Sequence, residues 1–319
     1  MTEEQSFFNE RIDYGNIIKN YPWIVERNQN CILSPDIDGL LCGLLMSAYL
    51  DWNIIGFYDG KTLVIKDNFS TKGSVFLDME IFRKDIFSIG HHMNIHNFQR
   101  ILPDQNEKMR NCINPNYIRK FDRAHNFSQK YPFGTIHLLM YILENKYPDL
   151  VKIKKEGLAA IFFADGVWKI LFKYTNNVLD WFGYLHSGKE ADWWSKLKEL
   201  SVIDLIEEIE KILKSFKKIE SNNRNWYGHI EINNFANQKK MLSDVLILLS
   251  GLTGWQFNAS KWILDDTKKY QFTKEIYGQE NGSKSNEKFL EIWEKEPLSL
   301  AMTEGSVIQY TIESPDKLP

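Results

Sequence analysis

Cysteine is scarce. The 319 residues include three, Cys31, Cys42 and Cys112, and none falls in a CxxC pair. An odd count without paired spacing argues against a disulfide framework and a thiolate zinc site, and points to a reducing cytoplasm. Long apolar runs are missing too. None approaches the roughly 18 residues that a membrane span needs, so no membrane partner is expected. The stretch Met1-Thr2-Glu3-Glu4-Gln5 is acidic and has no apolar signal region. Strong charge of one sign is also absent. A formal net charge of −3 argues against bulk adhesion to nucleic acid, though not against a local basic groove. There is no internal repeat.

What is present suits a globular chain with a substantial core. Apolar residues make up 43% and charged residues 25%, with 20 Phe, 14 Tyr and 10 Trp. Most of the aromatics belong in the core, and a few could stack on bases. The expected fold class is α/β: a mostly parallel sheet with helices on both faces, plus a smaller C-terminal α/β domain. The expected organisation is a larger first domain over residues 1–188, a charged helical linker over 189–225, and a smaller C-terminal domain over 226–319.

Read along the chain, Cys31-Ile32-Leu33 is a buried strand that stops at Ser34-Pro35. Gly39 to Trp52 is a helix, apolar nearly all round and so buried, with Asp38 available as its N-cap. Strands follow at Asn53–Tyr58, Leu63–Ile65, Ser74–Leu77 and Ile86–Ile89. Residues 93–131 read as polar and irregular, with turns at Pro103-Asp104 and Asn114-Pro115-Asn116. Thr135–Lys146 is a helix, and Gly157–Ala164 reads as a further strand. A helix follows at Asn237–Ser250. Residues 279–288 read as loop, and Ser299–Thr303 with Val307–Ile312 as a hairpin.

Four of these apolar segments end in groups able to bind a metal. They give Asp36 and Asp38, then Asp78, then His91 and His92, then Asp165. In an open parallel sheet, ligands bind beyond the carboxyl ends of the strands. Neighbouring strands would therefore bring these groups to one edge, where cations would relieve the repulsion of four carboxylates. Oxygen and imidazole donors without thiolate suit Mn²⁺ or Mg²⁺. Each piece alone also has a plainer reading: an Asp-x-Asp after a strand is a turn and helix cap, and a His-His pair can be a solvated loop.

In their order and spacing these segments resemble the motifs of the DHH phosphoesterases. Ser34-Pro35-Asp36-Ile37-Asp38-Gly39 is similar to the first motif, Phe76-Leu77-Asp78 to the second, Ser88-Ile89-Gly90-His91-His92 to the Asp-His-His motif, and Phe162-Phe163-Ala164-Asp165-Gly166 to the fourth. The resemblance covers about residues 28–185. It implies hydrolysis of phosphodiester or phosphoanhydride bonds with two manganese ions, as in RecJ-type single-strand exonucleases, oligonucleotide and cyclic-dinucleotide phosphodiesterases and manganese pyrophosphatases. It also implies Asp36, Asp38, Asp78, His91 and Asp165 as metal ligands, with His92 on metal or the scissile phosphate and catalysis carried by Asp78, His91 and His92. Two departures stand out. Gly90 replaces the first acid of Asp-His-His, and Ile32 stands where many members have a ligating histidine.

The expected activity is metal-dependent hydrolysis of phosphodiester bonds in single-stranded or short oligonucleotides, cyclic dinucleotides included, by a metal-activated water. Arg119, Arg123 and His125 are candidates for binding substrate phosphate. The alternatives are a catalytically degenerate binding or regulatory subunit and a small-molecule phosphatase or pyrophosphatase. Other features have plainer readings. His137 reads as a core histidine and His96 as part of a solvated loop. Lys211, Lys214, Lys217 and Lys218 read as a solvated helix face. Trp193, Trp194 and Trp226 read as packing residues.

Overall fold

The computed structural model describes residues 10–102, 104–186, 192–220, 228–278, 286–304 and 307–319. The chain is α/β and divides into two compact units, each assembled from separated stretches. All the strands lie in the unit built from residues 30–34, 54–131 and 263–319.

The strands are β1 (Asn30–Leu33), β2 (Asn53–Tyr58), β3 (Thr62–Lys66), β4 (Val75–Leu77), β5 (Phe87–Ile89), β6 (Cys112–Ile113), β7 (Thr267–Gly278), β8 (Ser299–Glu304) and β9 (Val307–Pro315). They form one nine-stranded sheet in the order β6-β5-β4-β1-β2-β3-β7-β9-β8. The sheet is mixed. The β1–β4, β4–β5 and β5–β6 pairs are parallel, whereas β2–β3, β3–β7, β7–β9 and β8–β9 are antiparallel. The mostly parallel arrangement expected from buried strands therefore holds at one end of the sheet only. At that end Cys31, Ile32, Leu33, Val75, Phe76 and Leu77 are all fully buried. Side chains alternate along a strand, so consecutive buried positions mean that both faces are covered there.

Two clusters fill the core of this unit. Ile32, Ile55, Phe76, Ile86 and Phe272 belong to one. Phe82, Met93, Phe289, Trp293, Leu300 and Tyr310 belong to the other. Residues 263–319 contribute β7, β8 and β9. The β8–β9 hairpin lies where the sequence placed it, while its turn residues Gly305 and Ser306 fall outside the described residues. Strand β7 gave little sign of itself, since Phe272 is its single buried side chain.

The second unit, residues 1–29, 35–53 and 132–262, is helical. The helix Ile37–Leu50 is capped by Asp36, whose side chain accepts the Gly39 N–H at 3.0 Å. This moves the cap from Asp38 to Asp36. Helix Thr135–Lys146 follows Gly134, and helix Lys155–Phe163 packs against helices Val202–Ile219 and Lys239–Thr253. The segment 157–164, read as a strand, is thus a helix. Leu158 to Phe163 are all buried, and burial on every side gives a helix the same unbroken apolar run as a buried strand. Among the described residues no helix is long and apolar enough to cross a membrane.

Candidate metal centre

Four adjacent parallel strands end side by side in the sheet unit. In the register of β1, β4 and β5, Leu33 lies beside Leu77 and Leu77 beside Ile89; Ile89 in turn lies beside Ile113 of β6. The next residues in each strand are Ser34, Asp78, Gly90 and Asn114, all polar or glycine. Parallel strands carry their carboxyl ends to one edge, so this row of four is a product of register.

Asp78 is the centre of the row. It is buried, and its backbone has a positive φ of 67°, a conformation that is uncommon outside glycine. Ser34 Oγ donates to Asp78 Oδ2 at 2.6 Å, and His91 Nδ1 lies 3.3 Å from Asp78 Oδ1. Burial pushes the Asp78 carboxyl toward its neutral form. The His91 hydrogen bond and the nearby charges of His91 and His92, with the Ser34 hydroxyl, outweigh burial and hold it well below the usual carboxylate range. These partners favour the anionic form of Asp78 in spite of burial, the form that binds a cation.

The two histidines stack, with ring centroids 4.5 Å apart. The His91 carbonyl accepts from Asn116 Nδ2 at 2.9 Å, and Asn116 Oδ1 accepts the Tyr131 N–H at 2.8 Å. His92 has a different anchor. Its backbone N–H donates to Glu80 Oε1 at 2.9 Å, and its Nδ1 lies 3.2 Å from Glu80 Oε2. Glu80 is buried and also receives Asn114 Nδ2 at 2.7 Å. A β-carbon added at Gly90 would fall 2.5 Å from Glu80 Oε1, so glycine is the residue that leaves room for this carboxylate.

In the helical unit, Asp38 is fully buried at the start of helix Thr135–Lys146. Its carboxylate accepts the Thr135 N–H at 2.6 Å and the Ile136 N–H at 2.9 Å. Helix N-termini favour negative charge and leave amides without partners in the helix, and both needs are met here by Asp38. Gly134 permits the approach, because a β-carbon there would lie 2.6 Å from Asp38 Oδ2. Asp165 is exposed. It sits in the turn Ala164–Gly166 after a helix rather than a strand, with a positive φ of 51°.

Asp78 and His91 lie together in the sheet unit, and a carboxylate beside an imidazole, with no thiolate, suits a hard or borderline divalent cation such as Mn²⁺ or Mg²⁺. Asp36 caps helix Ile37–Leu50. Ile32 is a fully buried core residue of β1.

The proposed phosphate-binding residues lie in the segment of short helices Pro115–Ile118 and Arg123–Asn126. Arg119 lies over the Phe121 ring at 4.7 Å. Arg123 is buried, and burial lowers its pKa from the ordinary value. His125 is exposed, with Nδ1 2.9 Å from Asp122 Oδ1.

The other singled-out residues divide by burial. His137 is buried beside Phe133 and Phe162. His96 is buried against Phe289, not solvated. Trp193 is buried edge-on to Tyr141. The Trp194 side chain and Trp226 fall outside the described residues. Lys211 and Lys214 pair with Glu208 and Glu210 on an exposed face, which cancels much of the field a nucleic-acid backbone would feel.

Ser34, Glu80, Asn114 and Asn116 take part in the site without having been singled out as ligands or anchors. Glu80 was the most legible of them, as a second acid two residues after Asp78. Comparison with family models, with curated proteins and with solved structures gives no match to the chain.

Proposed function

We propose that the chain is a metal-dependent phosphoesterase that hydrolyses phosphodiester bonds in single-stranded or short oligonucleotides. The observation that carries this reading is the buried Asp78 carboxyl held between Ser34 and His91 at the ends of parallel strands. Asp78 and His91 would hold the ion. A divalent ion bound there lowers the pKa of water and offsets charge on a phosphoryl oxygen.

The residues of the chain have separable parts in this scheme. Asp78 supplies negative charge to the ion. Ser34 fixes one of its oxygens, and Asn116 fixes the backbone of His91. His92, partly exposed beside His91, would meet the substrate phosphate or move a proton. One ion is proposed rather than the two that the family resemblance implies, because Asp36 serves as a helix cap and Ile32 offers no donor.

That same pair favours a second reading, a subunit that keeps the fold and binds nucleotides without turnover. One experiment separates the two. Purified protein with Mn²⁺ is offered labelled oligonucleotides, cyclic dinucleotides and pyrophosphate, with an Asp78→Asn variant alongside. Hydrolysis by wild type that is lost in the variant supports the enzyme. Absence of turnover on every substrate, or equal turnover by both proteins, removes it.

A further inference from the structure

The Gly-His-His stretch lacks an acid at residue 90, yet a carboxylate stands beside that position. It belongs to Glu80, which is 2% exposed and reaches in from the segment after β4. Gly90 and Glu80 are complementary in shape: a β-carbon on residue 90 would lie 2.5 Å from Oε1 and 2.9 Å from Oε2. The carboxylate is held from several sides. Oε1 accepts the His92 N–H at 2.9 Å and Asn114 Nδ2 at 2.7 Å, and Oε2 faces His92 Nδ1 at 3.2 Å. Asn114 Nδ2 also reaches the His92 carbonyl at 2.8 Å, so the backbone of His92 is gripped at both its N–H and its C=O.

We propose that Glu80 is the positioning residue of His92 and that it fixes the His92 ring as the Nδ1–H tautomer. A carboxylate only accepts hydrogen bonds, so the ring nitrogen facing it carries the proton. The lone pair then resides on Nε2. The logic is that of a carboxylate that orients an imidazole and selects its tautomer, a role distinct from touching substrate. The catalytic consequence of this arrangement rests on the phosphoesterase reading, whereas the tautomer does not.

The test uses the metal-free full chain labelled with ¹⁵N on histidine, at a pH of about 8.5, above the ordinary histidine range. Long-range ¹H–¹⁵N correlations report which ring nitrogen bears hydrogen, and a His92→Gln variant identifies the His92 signals. Wild type is expected to show His92 protonated on Nδ1. Glu80→Gln places an amide N–H opposite Nδ1 and is expected to move the proton to Nε2. The double variant Glu80→Gly with Gly90→Asp is expected to restore the Nδ1–H form. If the protein turns over substrate, Glu80→Gln should lower kcat about 10- to 100-fold with KM little changed. A wild-type His92 protonated on Nε2, or a tautomer unaltered by Glu80→Gln, overturns the proposal. Absence of turnover with the expected tautomer pattern would sink the enzyme reading and leave the positioning role standing.

Discussion

Ser34 donates its hydroxyl to Asp78 Oδ2 at 2.6 Å, across the ends of two parallel strands that are themselves in register from Cys31 to Leu33. The backbone sets up the same meeting, since Ser34 N–H donates to the Leu77 carbonyl at 3.1 Å. A buried carboxylate that keeps its charge needs such partners, because an unpaired one would be driven to its neutral form.

Ser34→Ala removes this hydrogen bond and leaves the strand register alone. The anionic form of Asp78 loses a hydrogen bond of about 1.5–3 kcal/mol, so its pKa rises toward the ordinary range. Mn²⁺ affinity should fall about 10- to 100-fold. Calorimetric titration of the two proteins with Mn²⁺ measures this, and equal affinities would remove Ser34 from the site.

Asp38 has a structural task that does not depend on metal. Its carboxylate accepts the first two amides of helix Thr135–Lys146. Asp38→Asn replaces one acceptor oxygen by an NH₂ group that faces an N–H donor, and removes the negative charge from the helix N-terminus. The expected loss is about 1–3 kcal/mol of stability in the absence of metal, read from urea unfolding of both proteins. No change in midpoint would mean that those amides find other partners at no cost.

Tyr58 gives the chain a pH dependence at the alkaline end. Burial raises its phenol to about 12 from the ordinary 10. Between those values the unfolded chain loses the proton while the folded chain keeps it. The unfolded state binds fewer protons there, so stability is fully present below about pH 10 and is lost as pH rises toward 12. Two pK units correspond to about 2.7 kcal/mol. Tyr58→Phe should flatten the fall by that order, measured as unfolding midpoints at a series of pH values; parallel curves for wild type and variant would contradict the assignment.

The sequence made the strand ends legible because a short apolar run halted by Ser34, Asp78 or Gly90 is a local signal. The mixed character of the sheet was not local. Strand β7 sits far along the chain, pairs with β3 and β9, and buries Phe272 alone, so nothing in its own residues announces a partner. The apolar run before Asp165 is a buried helix, not a strand, because burial on every side removes the periodicity that separates the two. The hairpin of β8 and β9 was legible from its two apolar runs and the Gly-Ser turn between them. Within the site, Glu80 was legible as an acid two residues after Asp78, but its place beside Gly90 and His92 was not. Glu80 lies ten residues earlier, and only the packing of β4 against β5 brings it there.

Manganese binding tests the central claim most directly. Full-length protein stripped of metal would be titrated with Mn²⁺ while free ion is followed by electron paramagnetic resonance, with Asp78→Asn and His91→Gln variants compared after circular dichroism shows them folded. One tightly held ion per wild-type chain is expected, with loss of that ion in both variants. An absence of tight binding by wild type, or tight binding that survives both substitutions, would contradict it.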